Sequence, residues 1–428
     1  MSDRSEAAAT TPWANTEDDA VAIIGGGIVG LATAVELARR GRPIVIVDQA
    51  EIGAGCGIGS AGHIVPSHVI PLAAPGMAQT LRRELGRRHR ALSIAPTVSP
   101  SFWAWAVSFL RHCTSESVES AAPALAALGQ LSAELTSEFG QTTDIHYADG
   151  GLLDVYGSEN AFEQASSHAD ELRAHGVDVL MLDAQQTREL EPTANEAVIG
   201  SLLLSDDASI RPASLLDGLR DQALRAGVVL ASRTEATGLQ FEGGHAVAVQ
   251  TNRGPLPVGH VVVAAGAWSG RFGKDLDVHI PVVSARGLSL TVDRPAVSPR
   301  RAMLLGEQHV AIGPNRDELR MSGWFELGRM SLSPPPRRVA RLETLARSRL
   351  DFDTTLTNRR TWAGLRPMTP DGVPIIGASG RWQNVTIATG HAMIGLSMGL
   401  GTGRVVAQLV DGERPDVDLD RFSLTRFS

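Results

Sequence analysis

A glycine-rich turn near the start of the chain constrains the fold more than any other feature. It follows the apolar run Val21–Ile24 and leads into a helical pattern that begins at Ile28. Gly25, Gly27 and Gly30 fit the spacing G-x-G-x-x-G, which places a pyrophosphate at the amino end of a helix in dinucleotide-binding proteins. The first glycine permits the tight turn, the second lets a phosphate approach the backbone, and the third allows close packing of the helix.

The residues that follow complete a β-α-β unit. Gly41 suits the end of the helix, where a positive φ is common, and the next apolar run, Ile44–Val47, ends at Asp48. A carboxylate at this position accepts hydrogen bonds from a ribose and repels a 2′-phosphate, which argues against NADP. The strand context and the terminal acid favour dinucleotide binding over an ordinary glycine-rich turn. The glycine run at 399–404 has no strand before it, so we do not interpret it as a second nucleotide site.

Composition excludes several other classes of protein. The 428 residues carry a net charge of −8 without a strongly basic block, so nucleic acid is not expected as a partner. Lys274 is the only lysine, so Schiff-base chemistry and attachment of pyridoxal phosphate would depend on one residue. Cys56 and Cys113 cannot form a disulfide framework or a cysteine-based metal centre, and no metal site is predicted. Residues 1–19 are predicted to be a disordered leader, and a cytoplasmic location is expected because no long apolar run occurs.

The rest of the chain alternates between helical and strand-like patterns. Helices are predicted at 101–112, 123–139, 159–175, 212–227, 337–350 and 394–410, with Pro123 as a break. Strands are predicted at 228–232, 246–251, 260–265 and 385–388. The segment Ile145–Tyr156 is predicted to form a β-hairpin around Gly150-Gly151. Because β-α-β character recurs at the beginning, middle and end, one domain is expected to be discontinuous.

Four blocks of sequence resemble the D-amino acid oxidase (DAO) superfamily of FAD flavoproteins, and most closely its D-amino acid dehydrogenase branch. They are the glycine-rich unit at 21–48, GSAGHIVPSHVIPLAAPG at 59–76, HVVVAAGAWSG at 260–270, and a C-terminal block formed by TWAGLRPMTPDGVPIIG (361–377) and TGHAMIGLSMGLGTGRVVAQLVDG (389–412). The resemblance spans about 20–427 and implies a fold of class α/β + α+β. It predicts a Rossmann-like FAD-binding domain of the GR2 type at 20–95, 200–278 and 364–428, and a mixed antiparallel-sheet substrate-binding domain at 96–199 and 279–363.

The resemblance implies that FAD is bound without a covalent tether. Some relatives attach FAD through a cysteine near the C-terminus or a histidine after the first β-α-β unit. Here no cysteine follows Cys113, and Gly59 stands at the aligned histidine position. A helix that begins just after Gly390-His391-Ala392 is expected to offer N–H groups to the negative charge of a reduced flavin. The residues expected to bind FAD are Gly25, Gly27, Ile28, Val29, Gly30, Asp48, Gln49, Ser60, Ala61, Gly62, His63, Ala236, Ala265, Gly266, Trp268, Gly390, Ile394 and Gly395.

Two residues are the candidates for catalysis. Oxidation of an amine to an imine needs a neutral nitrogen, a Cα–H directed at flavin N5 and an anchor for the carboxylate. In the family an arginine of the motif Leu-Arg-Pro takes the anchoring role, and Arg366 matches it, with a guanidinium that suits a bidentate carboxylate. His391 lies in the turn expected near the flavin, where a structural hydrogen bond is an equally good interpretation.

Several positions depart from the family pattern. Relatives commonly add tyrosine hydroxyls at the substrate carboxylate, including one in a Gly-Tyr-Ser segment, but Leu288 stands here instead. The two tyrosines, Tyr147 and Tyr156, lie in or next to the predicted hairpin, and His63 and His68 replace the glutamine and tyrosine that relatives often have. A specialised amine or imino acid is therefore a plausible substrate, and D-alanine is not assumed.

The implied activity is oxidation of the C–N bond of a D-amino acid or related amine by hydride transfer to flavin N5, with electrons passed to a quinone or another carrier. One alternative is an oxygen-reducing amine oxidase of the glycine or sarcosine oxidase type. It is disfavoured because Lys274 is interpreted as a surface residue and not as a lysine beside the flavin. Another alternative is a flavin-bearing subunit of a larger or membrane-docked complex. It is suggested by the aromatic run at 102–110. This run is interpreted either as a core helix or as a site of peripheral contact with the inner face of the membrane.

Overall fold

The computed structural model describes residues 11–14, 19–77, 79–80 and 92–427. Its strands are β1 (Val21–Ile24), β2 (Ile44–Val47), β3 (His63–Ile64), β4 (Leu92–Ile94), β5 (Leu152–Tyr156), β6 (Val179–Asp183), β7 (Gly200–Leu204), β8 (Ala208–Ser209), β9 (Val229–Ala231), β10 (Ala236–Glu242), β11 (His245–Thr251), β12 (Gly254–Pro257), β13 (His260–Val263), β14 (Val283–Asp293), β15 (Ala302–Leu305), β16 (Val310–Pro314), β17 (Glu318–Leu327), β18 (Arg360–Met368), β19 (Ile375–Ala378) and β20 (Val385–Thr389). Its helices are α1 (Ile28–Arg39), α2 (Pro100–His112), α3 (Ser115–Thr142), α4 (Glu159–Ala174), α5 (Ala184–Leu190), α6 (Pro212–Arg225), α7 (Gly273–Leu276), α8 (Pro336–Arg347) and α9 (Gly399–Val410).

A mainly parallel sheet has the strand order β19-β20-β13-β1-β2-β9, in which β19 alone runs antiparallel to its neighbour. The strands β1 and β2 are apolar and buried at every position, as expected when both faces of a parallel sheet are covered. The glycines of the run 399–404 lie in helix α9, where they allow close packing. A Cβ on Gly403 would lie 2.6 Å from Ala32 of α1, and one on Gly401 would lie 2.9 Å from Ser132 of α3. These glycines therefore bring α9 against two helices and form no nucleotide turn.

A large mixed sheet has the order β18-β14-β17-β16-β15-β5-β7-β6, and β4 pairs with β17. Helix α8 packs one face through Val339 and Leu342, which belong to an apolar cluster under the sheet. The opposite face meets the loop that follows β2, since a Cβ on Gly313 of β16 would lie 1.9 Å from the carbonyl oxygen of Ala61. The parallel sheet and the large mixed sheet together confirm the predicted α/β + α+β fold.

Two local predictions are wrong for physical reasons. Pro123 does not break a helix, because it lies exposed within α3, whose buried residues on both sides of it pack against the core. The segment Ile145–Tyr156 does not form a hairpin. Only its second half is a strand, β5, which pairs in parallel with β15 and antiparallel with β7. Gly151 has a φ of +76°, so the chain turns away before β5 begins.

Two further predictions need correction at their ends. The C-terminal helix begins at Gly399 and not at Ile394, and residues 392–398 form a series of turns. Of the predicted disordered leader, residues 1–10 and 15–18 lie outside the described residues. Trp13 is 4% exposed and its Nε1 donates to the carbonyl oxygen of Pro255 at 3.2 Å, so disorder is wrong for residues 11–14.

The strands also bear on the predicted division into domains. Residues 92–94 and 200–204 are predicted to lie in the FAD-binding domain, whereas β4 and β7, which they form, lie in the large mixed sheet. Strand β18 spans the predicted boundary at 364. The division into two domains stays a prediction.

Candidate functional site

A cavity of about 1070 Å³ extends from the carboxyl ends of β1, β2 and β13 to the large mixed sheet. Most of the predicted site residues line it, including Arg366 and His391. The exceptions are Gly30, Gly62 and Gly390, which lie behind the wall. The structure therefore brings together residues that are far apart in sequence, and their individual roles toward FAD stay predictions.

The glycine-rich turn forms one end of the cavity. Gly25 has a φ of +110°, and a Cβ there would lie 2.4 Å from the carbonyl oxygen of Ala264, so the turn requires glycine. A Cβ on Gly30 would lie 1.9 Å from the carbonyl oxygen of Gly25, which explains its place behind the wall. Gly27 has no atom within 4 Å of the position of a Cβ, and it lines the cavity at the start of α1. This cradle leaves room for a phosphate at the positive end of a helix.

Asp48 lies at the end of β2 beside this turn. Its Oδ2 accepts a hydrogen bond from the N–H of Gly26 at 2.7 Å, and its Oδ1 accepts one from the N–H of Ala50 at 2.7 Å. Each carboxylate oxygen can accept a further hydrogen bond, so the group fits two ribose hydroxyls. The geometry agrees with binding of the adenosine half of FAD.

The loop between the two ends of the cavity is held by strand β17. The Nη1 atom of Arg320 donates to the carbonyl oxygens of Ile58 and Ser60 at 2.5 and 2.9 Å. The hydroxyl of Ser322 donates to the carbonyl oxygen of Gly59 at 3.1 Å. Burial lowers the pKa of Arg320 from its usual value. Neither of these two β17 residues is among those predicted from the sequence. Polar residues two apart in a strand-like run were the available signal, because they lie on one face of a strand.

Trp362 covers the same loop. A Cβ on Gly59 would lie 2.0 Å from Cε3 of Trp362, and a Cβ on Gly364 would lie 1.8 Å from its Cη2. A histidine at position 59 therefore has no room while Trp362 keeps this place. Cys113 lies away from the cavity wall and donates from its thiol to the carbonyl oxygen of Phe109 at 3.2 Å.

Arg366 lies on β18 at the other end of the cavity. Its Nη1 donates to the carbonyl oxygen of Trp324 at 2.8 Å. Trp324 has a φ of +71°, a strained conformation, where the pairing of β14 and β17 is irregular. The carbonyl oxygen of this strained residue is the one that accepts from Arg366. Among the residues that the structure describes, no carboxylate pairs with Arg366. Burial lowers its pKa, but arginine stays protonated, so the cavity holds a cation without a counter-ion.

His391 is hydrogen-bonded to the C-terminal helix. Its Nε2 lies 2.9 Å from Oγ1 of Thr402, and burial lowers its pKa to about 4. The ring is therefore neutral at physiological pH. Gly390, before it, has a φ of +82°, and a Cβ there would lie 2.5 Å from Cγ2 of Thr369, so this glycine sets the path of the turn.

The turns after His391 present backbone donors to the cavity. Within the described residues, no acceptor is found for the N–H groups of Met393, Gly395 and Leu396, all of which line the cavity. Unpaired backbone N–H groups in a cavity wall can donate to a negatively charged ligand atom. Turns thus take the place of the predicted helix amino end, and a role of their N–H groups toward the flavin stays a prediction.

His63 and His68 line the cavity on the side of β3. The Nε2 of His63 lies 2.9 Å from the carbonyl oxygen of Ile312, and burial lowers the pKa of this histidine. Burial lowers the pKa of His68 to about 4, helped by the nearby His63 and His168. Both rings are neutral at pH 7, so they add no positive charge to that of Arg366. Gly62 has a φ of +89° and packs against the carbonyl oxygen of Ile210, outside the cavity wall.

The sequence of the chain is similar to those of known proteins. The model of the DAO family, FAD dependent oxidoreductase, matches residues 20–409. A D-amino acid dehydrogenase of Agrobacterium fabrum is 32% identical over 421 residues, covering 95% of this chain and 99% of that protein. A D-amino acid dehydrogenase of Rhizorhabdus wittichii is 33% identical over 419 residues, covering 95% of this chain and 100% of that protein.

Solved structures agree in fold. Glycine oxidase from Geobacillus kaustophilus superposes with a TM-score of 0.75 at 23% identity, covering 95% of this chain and 98% of that one. L-proline dehydrogenase from P. horikoshii superposes with a TM-score of 0.73 at 19% identity, covering 96% of this chain and 98% of that one. At these identities the similarity shows a shared fold and nothing about activity.

Proposed function

The chain belongs to the DAO family of FAD-dependent oxidoreductases, and from this premise we propose that it oxidises a D-amino acid, or a closely related amine or imino acid, to an imine. Hydrolysis of the imine then gives a 2-oxo acid and ammonia. The family assignment supplies FAD as the cofactor. Support for a D-amino acid comes from the relatives in Agrobacterium fabrum and Rhizorhabdus wittichii, which are D-amino acid dehydrogenases that this chain matches over nearly its full length.

The observation that carries the proposal is the unpaired charge of Arg366. Arg366 is half-buried in the cavity wall. A partly desolvated cation without a counter-ion is unfavourable, and an incoming carboxylate would relieve it. One nitrogen already donates to the carbonyl oxygen of Trp324, which holds the guanidinium plane in place. The remaining donors can grip a carboxylate, so we assign Arg366 to the α-carboxylate of the substrate.

The turn after His391 supports the other half of the site. FAD supplies the two-electron acceptor when it is bound. The N–H groups of Met393, Gly395 and Leu396 would stabilise negative charge on it, and Asp48 and the glycine-rich turn would hold its adenosine half. The hydrogen bond between His391 and Thr402 favours a positioning role for this histidine, and a catalytic role stays a prediction.

A quinone or another carrier is proposed as the electron acceptor. The relatives are dehydrogenases, and Lys274 is exposed on α7 and lies away from the cavity wall. A lysine near the flavin is a feature that oxygen-reactive sarcosine oxidases share, so its absence from the described wall favours the carrier. After anaerobic reduction by substrate, a quinone analogue should reoxidise the enzyme much faster than air-saturated buffer. Rapid, stoichiometric formation of peroxide would contradict this assignment and favour the oxidase alternative.

Helix α2 has an exposed apolar face that suits a peripheral contact with the membrane. Trp103, Val107 and Leu110 lie on one face and are 51%, 49% and 50% exposed, while the other face lines the cavity through Trp105 and Phe109. In the described part of the chain, every helix is too short or too polar to cross a bilayer. We therefore propose that the exposed face rests on the membrane surface. Flotation with liposomes tests it, and Trp103→Ser should reduce co-flotation; equal flotation of both proteins would reject the contact.

The substrate class is tested by anaerobic bleaching of the flavin. D- and L-amino acids, imino acids and N-methyl amines are mixed with the holoenzyme, and the loss of flavin absorbance is followed. D-amino acids should reduce the flavin, and amines without a carboxylate should do so poorly. Reduction by L-amino acids alone would overturn the proposal, and reduction by amines regardless of a carboxylate would overturn the assignment of Arg366 to the substrate carboxylate.

A further inference from the structure

The cavity wall beside Arg366 is apolar and aromatic. Helix α2 contributes Trp105 and Phe109, and strand β17 contributes Phe325 and Leu327. These four side chains, which we call the aromatic compartment, pack together around the end of β18. The guanidinium carbon of Arg366 lies 5.8 Å from the ring centre of Phe325. A ligand whose carboxylate binds Arg366 would therefore place its remaining atoms next to the aromatic compartment.

The walls of the aromatic compartment are fixed by their own contacts. The rings of Trp105 and Phe109 stack with their centres 5.4 Å apart. The Nε1 of Trp105 donates to the carbonyl oxygen of Met368 at 3.1 Å, two residues along β18 from Arg366. Because its polar atom is already satisfied, the indole offers carbon surface to a ligand. The wall is thus arranged for apolar contact and offers no hydrogen bond from this ring.

The charged residues of the cavity also disfavour a substrate with a charged side chain. Among its described lining residues, the carboxylates are Asp48 and Glu235, and both lie at the end that holds the adenosine half of FAD. A cationic side chain at the other end would find Arg366 and no carboxylate. A second carboxylate would compete with the first for the same guanidinium. Both kinds of charged side chain would also lose their hydration against carbon surface.

We propose that the aromatic compartment selects substrates with a bulky, uncharged side chain, aromatic or branched aliphatic, over D-alanine and over D-amino acids with charged side chains. The inference rests on the proposed function, because it takes Arg366 as the anchor of the α-carboxylate. A larger apolar side chain covers more of the carbon surface that these residues present to the cavity and removes more of its own carbon surface from water. A methyl group covers less of that surface.

Turnover gives the first test. Steady-state kinetics of the holoenzyme with D-phenylalanine, D-leucine, D-alanine, D-lysine and D-glutamate should give kcat/KM values at least about tenfold higher for the first two than for the others. The advantage should appear mainly in KM, since the compartment contacts a part of the substrate that does not react. Values for D-alanine, D-lysine or D-glutamate that equal or exceed those of D-phenylalanine and D-leucine would overturn the inference.

Binding of carboxylates that cannot be oxidised tests the aromatic compartment without turnover. Phenylacetate and acetate are titrated into the holoenzyme, and the change in flavin absorbance gives each Kd. Phenylacetate should bind at least about tenfold more tightly than acetate. The ratio should fall in Phe109→Ala and stay unchanged in Arg111→Ala, which alters an exposed residue of the same helix.

The two tests separate failure of the inference from failure of the proposed function. Equal affinity of the wild-type holoenzyme for phenylacetate and acetate would reject the aromatic compartment, whatever the enzyme oxidises. A strong preference for phenylacetate in a protein whose flavin is reduced by no D-amino acid would support the aromatic compartment and reject the proposed function alone.

Discussion

The indole ring of Trp362 lies against the α-carbon of Gly59, so close that a Cβ on this glycine would be 2.0 Å from Cε3. The contact joins the large mixed sheet to the loop expected to face the flavin ring. It also fills the space that a side chain at position 59 would need. A histidine at position 59 has no room as long as the ring keeps its place, and we expect denaturation of the holoenzyme to release all of its FAD into solution.

Replacement of Gly59 tests the importance of this contact. In Gly59→Ala either the loop or the indole must move, so the affinity for FAD should fall by an order of magnitude or more, as measured by titration of the apoprotein. Gly57→Ala is the matched control, because a Cβ there meets no atom closer than 3.7 Å and should disturb the loop far less. Equal affinities in the two variants would show that the loop tolerates the displacement.

Arg320 is expected to hold the same loop for the cofactor. Arg320→Ala removes two hydrogen bonds from a charged donor to the carbonyl oxygens of Ile58 and Ser60, each worth roughly 1.5–3 kcal/mol in buried settings. FAD affinity should fall at least about tenfold, and substrate KM at saturating FAD should change little. Arg360→Ala serves as the control, since Arg360 pairs with Glu318 at 2.6 Å and, among the described residues, its side chain has no hydrogen bond to the loop. A loss of affinity in the control as large as in Arg320→Ala would point to local charge instead.

Substitution of Arg366 should separate binding from chemistry. Arg366→Ala should raise KM for a D-amino acid by roughly tenfold or more, because a charged hydrogen-bonded pair is lost. Arg366→Lys should recover part of the affinity through its charge, although it lacks the planar fork. The related amine without a carboxylate gives the internal control, and its KM should not rise in either variant. Unchanged kinetics with the D-amino acid would remove Arg366 from the substrate site.

The part of the site that could be predicted from the sequence is the part encoded by neighbouring residues. The turn at Gly25 and Gly27 and the acid at Asp48 follow from local spacing. Arg366 needed the family resemblance, because one arginine among many carries no local signal. Arg320 was missed because its contacts join residues 260 or more positions apart.

The errors in the fold have the same origin. Strand β5 has the alternation of a hairpin strand, but its parallel partner β15 lies some 150 residues further along the chain. Pro123 looks like a helix boundary in isolation. Tertiary packing of the buried residues around it outweighs the loss of one backbone hydrogen bond at an exposed position.

A half-buried histidine outside the site should make stability depend on pH. His260 lies at the start of β13, and its Nε2 is 3.0 Å from Oγ1 of Thr386. Burial, with a smaller effect of Arg42, lowers its pKa to about 4. The unfolded chain takes up a proton near pH 6.5, and the folded protein does so only near pH 4. The stabilisation is therefore complete above pH 6.5 and is lost as the pH falls through 4.

His260→Gln removes this titration and should flatten part of the acid limb of the stability curve. Between pH 7 and pH 4 the wild type should lose up to about 3 kcal/mol more free energy of unfolding than the variant, on the basis of the lowered pKa. Urea unfolding at fixed FAD concentration measures the difference at several pH values. His279→Gln, which changes an exposed histidine, should follow the wild type. If the difference in the free energy of unfolding between His260→Gln and the wild type is constant across this range, folding leaves the pKa of His260 unchanged, and this histidine does not drive acid unfolding.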